Sequence, residues 1–104
     1  MRPGMITSNE PGYYLEGRYG IRIESLVLCR EARRRAGDER ALLSFETLTL
    51  CPIERRLIDA SLLSMAERAW LDGYHAHVRA RLEPLLSGDA RTLAWLKKAC
   101  APLG

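Results

Sequence analysis

GIRIESLVLCR, residues 20–30, is the strongest β-strand signal in the sequence. By the two-residue period of a strand, one face presents four apolar side chains and a serine: Ile21, Ile23, Ser25, Val27 and Cys29. The other face has two charged residues followed by two apolar ones: Arg22, Glu24, Leu26 and Leu28. A strand that is apolar on both faces is usually covered on both sides. We therefore expect Arg22 and Glu24 to be at least partly buried.

Glu24 has two possible partners, because an isolated ionised carboxylate is costly to bury. The first interpretation is a structural ion pair with Arg22, which lies two residues away on the same face. The second is a metal ion bound by Glu24, with Arg22 beside it orienting the carboxylate. The residues of this strand alone leave both interpretations open.

Further strands are predicted on both sides of this segment. Residues 1–20 contain Pro-Gly pairs and additional glycines, which are typical of short strands joined by tight turns. LLSFETLTL, residues 42–50, is a second β-prone run. We expect it to form an antiparallel pair with residues 20–30 across the charged loop at residues 31–40.

The second half of the sequence predicts two helices. Ser64 and Glu67 have the spacing of a capping box, which predicts a helix N-terminus. The apolar face of this helix is expected to comprise Ala66, Trp70, Tyr74, Val78, Leu82 and Leu85. A second helix is expected from about Asp89 to Cys100, with Leu96 and Cys100 on its apolar stripe and Trp95 off it. The expected fold class is α+β, with short antiparallel strands followed by helices.

Composition excludes several classes of protein. The 104 residues include 16 basic and 13 acidic ones, evenly mixed along the chain, whereas nucleic-acid-binding proteins concentrate positive charge on one face. No apolar stretch approaches the length of a membrane span, and no apolar segment typical of a secretory signal follows the N-terminus. We therefore expect no nucleic acid, no membrane and a cytoplasmic location. The three cysteines have no CxxC spacing, so free thiols are expected.

Glu10 is a second candidate carboxylate, within NEPGYY at residues 9–14. Pro11 favours an extended conformation of Glu10, and Gly12 allows the chain to turn directly afterwards. This arrangement would aim the Glu10 carboxylate from a strand end into a cleft. The alternative is a solvated carboxylate in a turn.

NEPGYY at residues 9–14 and GIRIE at residues 20–24 together resemble two metal-binding motifs of the pita-bread metallopeptidases. The similar branch is the Xaa-Pro aminopeptidases, also called aminopeptidase P. Residues 3–28 resemble the C-terminal part of the catalytic domain of these enzymes. Three later segments resemble the C-terminal extension of the larger, cytosolic-type members: SFETLTLCPIERRLID, WLDGYHAHVRARLEPLL and AWLKKACAPL.

The resemblance implies a domain organisation and an activity. Residues 1–50 would form the end of a pita-bread catalytic domain, and residues 51–104 would form a C-terminal helical extension. The implied enzyme is a metalloaminopeptidase that removes the N-terminal residue from peptides with proline in the second position. It would use two divalent metal ions, typically Mn²⁺, for which hard oxygen ligands are suited.

The resemblance also implies roles for three residues. The family holds its two ions with two Asp, one His and two Glu, and Glu10 and Glu24 match the two Glu. Glu10 would also accept a proton from the metal-bridging water, and Arg22 would orient the carboxylates. The Asp and His ligands of the family precede the NEPGYY motif, and no counterpart stands before it in this sequence.

We therefore expect the chain to be the C-terminal portion of an enzyme and to be inactive alone. Its implied partners are the peptide substrate and a second copy of the chain, because members of this branch are often dimers that use the C-terminal extension. The alternative is a non-enzymatic dimerisation or interaction module.

Overall fold

The computed structural model describes residues 1–104, which form two compact units, Met1–Thr49 and Leu50–Gly104. The first unit consists of strands and loops, and the second consists of helices and short 3₁₀ turns. None of the helices has the length and apolar content that a membrane crossing requires.

Five strands form the first unit: β1 Ile6–Asn9, β2 Gly12–Leu15, β3 Tyr19–Arg22, β4 Ser25–Glu31 and β5 Leu43–Thr47. β4 is the central strand of an antiparallel sheet with the order β1-β4-β5, and β2 pairs with β3 as an antiparallel hairpin. Gly17 in the hairpin turn has φ +71°, which glycine adopts without steric cost. The predicted short strands and the antiparallel pair across the charged loop are therefore confirmed.

The prediction of one continuous strand over residues 20–30 is wrong, because β3 ends at Arg22 and β4 begins at Ser25. The cause is Pro11 on the opposing strand. The Ile23 N–H donates to the Pro11 carbonyl at 3.1 Å, but proline has no N–H to donate in return. One missing hydrogen bond thus interrupts the ladder without shifting its register.

The expected burial on both faces of this segment is also wrong within this chain. Val27 and Cys29 are buried, but Leu26 on the opposite face is exposed. The side chains of Arg22 and Glu24 are 53% and 45% exposed. The reason is that β2 and β3 form a two-stranded ribbon in which every residue is exposed. No second layer of this chain therefore covers Arg22 and Glu24.

The second unit contains two helices, α1 at Met65–Leu82 and α2 at Ala90–Ala99. The predicted capping box is confirmed. The Glu67 N–H donates to the Ser64 hydroxyl at 3.1 Å, and the Ser64 N–H donates to the Glu67 carboxylate at 2.7 Å. Short 3₁₀ turns lie outside the two helices, at Arg55–Leu57, Ala60–Leu62 and Glu83–Leu86.

The core of the second unit consists of Tyr74, Val78, Leu96 and Cys100. Leu96 and Cys100 are buried as predicted, and the thiols of all three cysteines are free. The predicted face of α1 is partly wrong, since Trp70 is 60% exposed while Leu71 and His75 are buried. Trp70 stacks on Tyr74 with ring centroids 5.5 Å apart, so it covers the core from outside. Tyr74 and Val78 of the predicted face are buried, whereas Ala66 and Leu85 are exposed, so the buried face of α1 is shifted towards Leu71 and His75.

Candidate metal centre

Glu10 and Glu24 lie where the ladder is interrupted, and the shared register places them opposite each other. Asn9 pairs with Ser25 on one side of the interruption and Gly12 pairs with Arg22 on the other. Continuing this register between them sets Glu10 opposite Glu24 and Pro11 opposite Ile23.

The hydrogen bond from Ile23 to Pro11 identifies the type of pair that the two carboxylates form. In an antiparallel ladder, hydrogen-bonded and non-hydrogen-bonded pairs alternate. Pro11 and Ile23 share the remaining hydrogen bond, so Glu10 and Glu24 form the adjacent non-hydrogen-bonded pair. Cα atoms in such pairs are about 4.5 Å apart and the side chains are closer than in hydrogen-bonded pairs. Both carboxylates therefore project from one face within reach of a common ligand.

Arg22 lies on the same face and contacts only one of the two carboxylates. Its Nε is 3.5 Å from Glu24 Oε2, so the structural ion pair of the first interpretation is present. An ion pair this exposed contributes about 0–1 kcal/mol to stability. The Glu10 carboxylate has no ion-pair or hydrogen-bond partner in the chain.

The donor chemistry of this face fits a hard divalent cation. Like charges directly opposite each other on a sheet are unfavourable, and Arg22 offsets only one of them. Carboxylate oxygens are the ligands that Mg²⁺, Ca²⁺ and Mn²⁺ prefer. The chain contains no group of three or more His, Cys, Asp or Glu side chains that could hold a metal ion. Glu10 and Glu24 alone therefore do not make a complete ligand set.

Tyr14 is a feature of this face that sequence reasoning missed. A Cβ at Gly20 would lie 2.6 Å from Tyr14 Cδ1, and a Cβ at Gly12 would lie 2.6 Å from the Tyr14 hydroxyl. The ring thus lies across both glycines, with its hydroxyl towards the end of the hairpin that bears Glu10. The expected turn at Gly12 is wrong, since this residue begins β2. The sequence signal for this ring position was the pattern of a tyrosine paired with one glycine, Gly20, and two residues after another, Gly12.

The two histidines do not contribute a chelating pair. His75 is fully buried and His77, two residues later on α1, is exposed. Residues two apart on a helix point in different directions, so the two imidazoles do not face each other.

Residues 1–31 match the model of metallopeptidase family M24, and residues 41–103 match the model of the C-terminal region of peptidase M24. The chain belongs to metallopeptidase family M24. The family resemblance seen in the sequence is thereby confirmed.

Individual relatives of this M24 chain are Xaa-Pro aminopeptidases by name. The probable Xaa-Pro aminopeptidase P of Laccaria bicolor is 50% identical to it, over 99% of this chain and 16% of the relative. The protein of the same name in Coprinopsis cinerea is 47% identical, over 99% of this chain and 17% of the relative. The chain thus spans about one sixth of the length of the relatives that it matches.

A solved structure shows the same fold over nearly the whole M24 chain. It is the X-prolyl aminopeptidase of Caenorhabditis elegans, described as a cytosolic enzyme with a di-nuclear active site. The TM-score is 0.89 at 36% identity, covering 99% of this chain and 17% of that one. The α+β fold class predicted from the sequence is confirmed.

Proposed function

We propose that this chain belongs to a metal-dependent Xaa-Pro aminopeptidase, which removes the N-terminal residue from peptides with proline in the second position. The observation that supports this most is the opposed pair of carboxylates, Glu10 and Glu24, with Arg22 beside them. The names of the relatives support the substrate class. Residues 1–50 would be the end of the catalytic domain and residues 51–104 a C-terminal helical extension, in keeping with the two compact units.

Glu10 and Glu24 would help to hold two divalent metal ions, which we propose to be Mn²⁺. Bound metal ions supply Lewis-acid activation of water and of the scissile carbonyl. A divalent ion of this kind takes about six oxygen ligands, so two carboxylates leave most of the coordination to other groups. The chain alone is therefore proposed to bind metal weakly and to be inactive.

The three charged residues would have distinct tasks. Glu10 is the catalytic residue, because its carboxylate has no competing partner in the chain and is free to accept a proton from water. Glu24 would contribute charge and ligand oxygens. Arg22 would hold the Glu24 carboxylate in one orientation through the contact at 3.5 Å.

The proposed activity is tested by grafting this chain onto a relative. The matching C-terminal residues of the Laccaria relative are replaced by residues 1–104, and the product is called the grafted enzyme. We expect the grafted enzyme, supplied with Mn²⁺, to release the first residue from an Xaa-Pro peptide. The host without its C-terminal segment and this chain alone are the controls, both expected at background. Activity of the chain alone, or a folded but inactive graft, would contradict the proposal.

A second copy of the chain is the proposed macromolecular partner, and it also underlies the alternative function of an interaction module. Large apolar side chains are exposed on the strands of the first unit and in the break between β3 and β4: Ile6, Ile21, Ile23, Leu26 and Phe45. Exposed apolar surface and unpaired strand edges favour association. The evenly mixed charges do not support a nucleic-acid partner, and we propose no membrane partner. The cytosolic description of the Caenorhabditis elegans enzyme supports a cytoplasmic location.

Light scattering measures this association directly. At tens of micromolar we expect a particle of about twice the 11.8 kDa chain mass, since two-fold dimers are the commonest closed assembly. A particle of 11.8 kDa over that range would rule out the dimer.

A further inference from the structure

Two consecutive residues of α1 hold the backbone of the chain that precedes it. The Tyr74 hydroxyl accepts a hydrogen bond from the Cys51 N–H at 3.3 Å and donates one to the Cys51 carbonyl at 3.1 Å. The Ile53 N–H donates to His75 Nε2 at 3.0 Å. We call residues 51–55 the strap. Three hydrogen bonds from adjacent side chains thus fix the strap to α1.

His75 can hold the strap only while its imidazole is neutral. A nitrogen that accepts a hydrogen bond bears no proton, so the proton of this imidazole is on Nδ1. His75 is 0% exposed, and Nδ1 has no hydrogen-bond partner in the structure. Protonation of Nε2 would turn the acceptor into a donor facing the Ile53 N–H.

The surroundings of His75 give little compensation for a positive charge. The Arg55 guanidinium on the strap repels it, and the Asp72 carboxylate on α1 attracts it. Asp72 is itself engaged by the Leu103 N–H at 2.9 Å. The C-terminal segment adds the Cys100 thiol, whose pKa is raised by burial, so that it stays neutral. The other titratable groups of the strap and its neighbours are Cys51, Glu54 and Tyr74. The Glu54 carboxylate forms an ion pair with Arg56.

We propose that His75 is a pH-sensitive latch: protonation of its imidazole releases the strap from α1. This inference is independent of the proposed peptidase activity. The strap also lines a cavity of about 360 Å³ together with Trp95, Lys98 and Ala99 of α2. Release of the strap would therefore open this cavity and expose the core residues beneath it.

The direction of the pH effect follows from the environment of the imidazole. Burial, and then the nearby Arg55 guanidinium, lower the pKa of His75 below its ordinary value of 6.5. The released state therefore binds more protons than the latched state, and latching is favoured as pH rises. The latch is fully effective above pH 6.5 and weakens as pH falls below it.

The test is an NMR titration of the whole chain from about pH 7.5 to pH 5, with amide exchange measured in the same range. We expect the His75 imidazole signals to titrate below 6.5. The protection factor of the Ile53 amide should fall by up to about tenfold for each pH unit below 6.5. Amides in the middle of α1 should lose less protection.

His75→Gln is the decisive variant, because a glutamine carbonyl can accept the Ile53 N–H but does not titrate. We expect it to abolish the pH dependence of Ile53 protection, and His77→Gln to leave that dependence intact. If Ile53 protection still depends on pH in a folded His75→Gln variant, the proposal that His75 is the latch is wrong. If this variant does not fold, the wild-type titration decides. A His75 that titrates at or above 6.5, or Ile53 protection that is flat with pH, would overturn the proposal.

Discussion

The grafted enzyme with Glu10→Gln is expected to hydrolyse an Xaa-Pro peptide about 10³-fold more slowly than the unmodified graft. A positioned general base contributes about 10²–10⁴-fold to such a rate, and glutamine cannot accept the proton. The substitution also removes one negative charge from the opposed carboxylate pair, which weakens metal binding. The quantity to measure is kcat/KM with saturating Mn²⁺, so that weaker metal binding is compensated.

Glu16→Gln is the matched control for this variant. Glu16 lies in the turn of the same hairpin, between β2 and β3, and is exposed. Its replacement changes the net charge equally but leaves the pair intact, so kcat/KM should be unchanged. Equal losses in both variants would show that the effect is not specific to Glu10. A graft that keeps its activity with Glu10→Gln would remove this residue from the mechanism.

Local signals in the sequence predicted the helix starts and the strand pairing correctly. The capping box at Ser64 and Glu67 is a contact over three residues, so neighbouring residues contain all the necessary information. The antiparallel pairing of β4 and β5 followed from two β-prone runs flanking a charged loop. These features depend on backbone propensity and turn chemistry rather than on distant contacts.

The predictions of the continuous strand and of the buried face of α1 were wrong because a residue distant in the sequence determines the local structure. The break after Arg22 depends on Pro11, and only the pairing register shows that the missing N–H falls opposite Ile23. Helical periodicity allowed two adjacent faces of α1. The Ile53 N–H, 22 residues before His75 in the sequence, donates a hydrogen bond to the His75 imidazole. This contact favours burial of the face that contains His75.

The sequence pointed to candidate residues for the site, whose roles stay predictions, but not to their geometry. The motif resemblance singled out Glu10, Glu24 and Arg22. Their arrangement required the common register of the two ladders on either side of the interruption. The position of the Tyr14 ring over two glycines required the pairing of Tyr14 with Gly20.

The second large effect is expected when Mn²⁺ is added to the chain in small amounts during NMR. The paramagnetic ion should broaden the amide signals of Glu10, Gly12 and residues 22–25 beyond detection while most other signals persist. Two opposed carboxylates attract the ion, even though the incomplete ligand set limits the affinity to about the millimolar range. Glu24→Gln should restore these signals, and it should leave the fold intact because the exposed pair with Arg22 contributes little stability.

This titration asks directly whether Glu10 and Glu24 act together as ligands of one site. We expect Glu10→Gln and Glu24→Gln each to abolish the selective broadening on both strands, and Glu16→Gln to leave it intact. Broadening that is centred on other acidic residues, or that persists on one strand after the opposite carboxylate is removed, would contradict this expectation.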